Sequence, residues 1–163
     1  MPRLNANTRF DVNRLDTIEK CDASIKNATR LDKLEWVQIV QAKRKQLRGQ
    51  LYPNDNIDLV DDALTGLDLY EAVKSVETNR NYYATKTRRG LDKYGVTEFI
   101  KKRVAGNHTE EGFQALNTSQ LREYTSEFLV LKHRHLFDAQ IITMAEKFVA
   151  RLNDKQDLKF EDL

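Results

Sequence analysis

Six glycines and two prolines are all that punctuate 163 residues. That is under half the usual ~12%. A chain with so few residues able to make tight turns cannot easily build a sandwich or barrel of many short strands. It can build long helices, and apolar residues recur at spacings of three and four throughout. The fold class predicted is all-α: a single irregular, orthogonal multi-helix domain of seven or eight helices. Its ordered core is expected over 14–153, with a flexible N-terminal arm and C-terminal tail. Hydrophobic residues at 40% and charged residues at 32% suit one packed core under a heavily charged surface.

Helices are expected over 14–29 (capped by Asn13), from Asp32 to about Gly49, over 57–77, 83–94, 97–104 (capped by Thr97) and 109–116. Two more are expected from Thr118 or Ser119 to Lys132, and over 139–152 behind Asp138. Asp32 and Glu35 resemble a capping box. Trp36, Val40, Leu47 and Leu51 share one arc of the second helix. Gly66 interrupts the third. The run Phe128–Leu131 surrounds its helix axis and is placed at the centre of the core. Trp36, Leu47, Leu64, Leu67, Phe128, Leu131, Ile141 and Phe148 are the predicted core.

Cys21 is the single cysteine, so no disulfide within the chain and no Cys-rich zinc site can form. The first dozen residues lack an apolar leader, and no run approaches 18 apolar residues. These features predict a cytoplasmic protein without a membrane partner.

The net charge of +2 conceals strong segregation. Between Pro53 and Glu77 the acids are Asp55, Asp58, Asp61, Asp62, Asp68, Glu71 and Glu77, with Lys74 the one base. Between Arg80 and Gly106 the bases are Arg80, Lys86, Arg88, Arg89, Lys93, Lys101, Lys102 and Arg103, against Asp92 and Glu98. The two segments thus carry −6 and +6. A basic cluster is the electrostatic footprint of a phosphate-backbone binder. Lys86, Arg89 and Lys93 fall on one helix face. Tyr82, Tyr83 and Tyr94 lie among the bases and offer stacking surface. Arg44, Lys45 and Arg48, on the second helix with Lys43 beside them, make a second basic run, read as solvated. The opposing interpretation is that the basic segment simply pairs with the acidic helix before it.

The glycine between the helices of this segment invites comparison with a helix-turn-helix. Placing Gly95 at the turn puts Val96 and Val104 at buried positions, but Lys101 where an apolar residue is usual. The match is partial.

Metal and catalytic signals are weak. His133 and His135 point about 200° apart on a helix and cannot share an ion. Asp58 and Asp62, one turn apart, lack a second acidic set and read as exposed helix acids. Cys21 falls in the polar half of its helix. No phosphate-cradling loop, nucleophile elbow or dinucleotide fingerprint is present. The predicted sites therefore include no catalytic residue, no metal ligand and no cofactor. The leading expectation is a non-enzymatic accessory or regulatory protein binding nucleic acid through 80–103, with Tyr83, Arg44, Lys45 and Arg48 contributing. The alternative is a protein–protein module or self-assembling subunit that pairs its acidic helix, 55–77, with a basic surface. A metal-dependent enzyme comes third.

Overall fold

A computed structural model describes residues 11–106 and 121–160, with side chains to Arg151. The chain is all-α, as its composition requires. Seven α-helices and no strand occur among the described residues. They are α1 (Ile18–Arg30), α2 (Leu34–Leu51), α3 (Ile57–Thr78), α4 (Thr85–Tyr94), α5 (Val96–Ala105), α6 (Ser126–Lys132) and α7 (Ala139–Phe160), with three short 3-10 turns. They form two compact units, Met1–Leu51 and Tyr52–Leu163. The predicted helix over 109–116, the caps at Thr118 and Ser119, and most of the N-terminal arm lie outside the described residues.

In the first unit α1 packs against α2. Asn13 does not cap α1. It sits in a 3-10 turn held by Asp11, and Thr17 caps the helix by accepting the Lys20 N–H. Cys21 is fully buried, contrary to its predicted polar setting. Ile18, Cys21, Ile25 and Ala28 form the apolar stripe, and a free thiol packs like a small hydrophobe. Asp32 caps nothing; it occupies the turn between the helices at φ 53°.

The buried arc of α2 is rotated from the one predicted. At about 100° per residue, Trp36 lies roughly 40° to one side of Val40 and Arg44 roughly 40° to the other. The structure turns the Arg44 side inward. Arg44 reaches Asp22 of α1 at 2.8 Å, Arg48 is 1% exposed, and Trp36 is left 39% exposed. The long arginine stems provide the apolar cover that the tryptophan was expected to supply.

The second unit holds the main core. Leu59, Val60, Leu64 and Leu67 of α3 meet Leu91 of α4, Val96, Ile100 and Val104 of α5, Leu129 and Val130 of α6, and Ile141 and Ala145 of α7. Pro53 lacks an N–H, and the turn around it separates α2 from α3. Asn56 then caps α3 by accepting the Asp58 and Leu59 N–H groups. Gly66 stands where α3 meets the turn Arg122–Tyr124: a Cβ there would lie 2.8 Å from Tyr124 Cβ and 2.9 Å from its carbonyl oxygen. The inner pair of α6 is Leu129 and Val130, while Phe128 and Leu131 are half-buried, as are Leu47 and Phe148. Asp138 caps α7 as predicted, accepting the Ile141 N–H at 3.0 Å. The helix continues to Phe160 rather than fraying after Leu152.

Candidate nucleic-acid interface

The basic segment is fixed to α3 by the acids that precede it. The Arg88 guanidinium donates to both carboxylate oxygens of Glu71, at 3.0 Å from Nε and 2.6 Å from Nη2, and to Asp68 at 3.2 Å. Glu71 also accepts the Ala84 N–H at 2.7 Å, which leads into the first turn of α4. Ser75 Oγ accepts the Tyr82 N–H and donates to the Glu71 carbonyl. Loop 79–84 is thereby stapled to α3, setting where α4 begins. The fork-to-fork geometry is the strong form of this pair, and the Glu71 hydrogen bond raises the Arg88 pKa further above an already high value. Arg88 is therefore committed to the fold, where the sequence placed it among the nucleic-acid-binding residues.

The join between α4 and α5 is a single residue, Gly95, at φ 77° and ψ 169°. This backbone region is essentially glycine's alone. A helix-turn-helix uses a turn of three or four residues, so the resemblance fails at the turn. Thr97 does not cap α5 either. Asp55, forty residues upstream, accepts the Val96 N–H and the Thr97 N–H, each at 2.9 Å, one on each oxygen. Gly90 lets the Phe99 ring of α5 lie against α4; a Cβ there would fall 2.3 Å from the ring.

This framework turns Lys86, Arg89 and Lys93 outward on α4. All three are exposed, as is Arg80 near the start of loop 79–84. Arg80, Lys86, Arg89, Lys93, Lys102 and Arg103 have no acidic side-chain partner among the described residues. Lys93 and Lys102 both lie over the Tyr94 ring, at 4.9 and 4.8 Å, and the Lys93 ammonium holds the Tyr94 phenol below its ordinary pKa. Lys101 pairs instead with Glu98 at 2.7 Å. Tyr83 lies under the Arg88 guanidinium, 4.7 Å from its carbon, and is still 63% exposed. The second basic run belongs to the first unit. There Arg44 is paired with Asp22, Lys45 is half-buried and Arg48 is buried rather than solvated.

Beside the α4 face, a cleft of about 500 Å³ opens within the second unit. Its walls include Tyr82, Tyr83, Phe99 and Tyr124, with Lys86 and Arg103 among the polar groups. Sequence reading found the cations and Tyr83 but not this cleft. The Tyr82-Tyr83 pair next to the bases was its one legible signal.

The acidic segment behaves differently from the basic one. Asp55 caps α5, Asp68 and Glu71 hold Arg88, and Glu77 pairs with Lys74. Asp62, predicted exposed, is half-buried and accepts from His133 Nε2 at 2.7 Å and Lys132 Nζ at 2.8 Å. That hydrogen bond raises the Lys132 pKa. Asp58 and Asp61 also interact within the chain. His133, at the end of α6, is thus tied to α3 through Asp62. No helix among the described residues is long and apolar enough to cross a membrane.

No protein family, curated protein or solved structure matches this chain.

Proposed function

We propose that this chain is an accessory or regulatory protein that binds nucleic acid through the outer face of α4 and the cations beside it. The observation that carries this reading is an asymmetry in how the two charged segments are used. All seven acids between Asp55 and Glu77 are engaged inside the chain, yet Lys86, Arg89 and Lys93 point to solvent without acidic partners among the described residues. Among the described residues the two segments are joined by the ion pairs of one cation, Arg88, with Glu71 and Asp68. A row of cations without acidic partners on one helix face draws a phosphate backbone by releasing condensed counterions. The buried, free Cys21 suits a reducing compartment such as the cytoplasm.

The same asymmetry disfavours a protein partner captured by the acidic helix, because those carboxylates already have partners. The test is the salt dependence of nucleic-acid affinity. Replacing Lys86, Arg89 and Lys93 together with Ala should leave the helical spectrum intact, since Ala favours helix. It should weaken binding and flatten the slope of log K against log salt by roughly 2 to 2.7, at about 0.7–0.9 per phosphate contact. An unchanged slope, or no binding to DNA or RNA at low salt by the unaltered protein, refutes the reading.

A further inference from the structure

We infer that the cleft beside α4 receives an unstacked base, so that the preferred ligand is a single strand rather than a duplex. This rests on the nucleic-acid reading of the α4 face and goes further, to the form of the ligand. Lys86 belongs both to the exposed face with Arg89 and Lys93 and to the cleft wall. A backbone lying along that face therefore passes the cleft mouth. The cleft falls within the range of roughly 300–1,000 Å³ typical of sites that enclose a small ligand. Its rings, Tyr70, Tyr82, Tyr83, Phe99 and Tyr124, offer π surface, and Arg103 adds a second cation, 6.0 Å from the centre of the Phe99 ring. A duplex keeps its bases paired and stacked and presents only phosphates and groove edges, which have no use for an aromatic cleft. A single strand carries bases free to leave the stack, and every base has a π-face.

Tyr83 is the best-prepared of these rings. It stands at the surface, and Arg88, itself held by Glu71 and Asp68, lies over it. Arg88 is thus a positioning residue for the ring. An aromatic ordered in advance loses little further freedom when a base stacks on it.

The experiment measures fluorescence anisotropy of the full chain at fixed low salt with four probes. These are a short oligodeoxythymidine, its oligouridine counterpart, a duplex of the same length, and the deoxythymidine strand with abasic sites at its centre. The two single strands should bind about tenfold or more tightly than the duplex, and the abasic strand should lose roughly 5- to 150-fold, the equivalent of one stacked base. Tyr83→Leu should reproduce that loss on the intact single strands, and Tyr83→Phe should restore affinity. Neither should alter the helical spectrum. Equal affinity for all four probes, with Tyr83→Leu silent while the triple Ala variant still binds weakly, removes the cleft inference and leaves the α4 reading standing. Failure of every probe to bind removes both.

Discussion

Replacing Asp55 with Ala tests the long-range cap on which the placement of α5 depends. Its two carboxylate oxygens each accept one backbone N–H at 2.9 Å, from Val96 and Thr97. Val96 is fully buried, so its N–H has no access to replacement water. An orphaned buried donor costs about 1–3 kcal/mol. Thr97 is half-buried, and loss of its cap costs roughly 0.5–1 kcal/mol once water moves in. Asp55→Ala should therefore destabilise the protein by about 1.5–4 kcal/mol. Asp55→Asn keeps one acceptor oxygen and should cost about half as much.

Gly95→Ala attacks the same contact from the other side. Its backbone, at φ 77°, is strained for any L side chain, and the added Cβ would lie 2.9 Å from Asp55 Oδ2. The strain alone costs about 1–3 kcal/mol. Because the new methyl displaces the carboxylate that Asp55→Ala removes, the double variant should lose less than the sum of the single losses. Urea denaturation followed by circular dichroism supplies all four free energies. A cost below ~0.5 kcal/mol for Asp55→Ala, or strict additivity in the double variant, would show that α5 is not held in this way.

Three further outcomes are expected. Gly66→Ala should destabilise the protein despite the ~1 kcal/mol helix advantage of Ala, because the new Cβ meets the side chain and backbone of Tyr124 below 3 Å; a gain in midpoint on thermal unfolding would refute the close approach. Burial, reinforced by the hydrogen bond the Tyr52 hydroxyl donates to Asp92 at 3.1 Å, pushes the Tyr52 phenol up to about 12. The unfolded chain releases that proton first, near the ordinary value of about 10. Stability from Tyr52 is thus fully present below pH ~10 and lost as pH rises towards about 12, and Tyr52→Phe should remove this component from the alkaline stability profile and a late-ionising phenol from the ultraviolet titration. Asp62→Ala strips His133 of its partner inside the second unit and should cost about 1–3 kcal/mol in chemical denaturation, whereas an exposed pair would cost ~0–1 kcal/mol.

Features decided by short-range chemistry were legible in the sequence. Scarce Gly and Pro together with three-and-four spacing give helices. Asp138 caps its own helix, and Gly95 ends α4, because each acts within a few residues of its position. The common face of Lys86, Arg89 and Lys93 follows from the helix period alone. Tertiary structure decided the rest, because the partners are far apart in the chain. Asp55 displaces Thr97 as the cap of α5 across more than forty residues. Arg88 and Arg89 are neighbours of equal charge, yet only Arg88 faces Glu71 and becomes part of the framework. The sequence pattern favoured Trp36 for burial over Arg48, and packing of α2 reversed them, since a long apolar stem fills an arc as well as a ring does. The cleft draws its rings, Tyr70, Tyr82, Tyr83, Phe99 and Tyr124, from four separate segments. Periodicity assigns each residue a face of its own helix; which faces meet depends on how the helices pack, and local spacing carries no record of that.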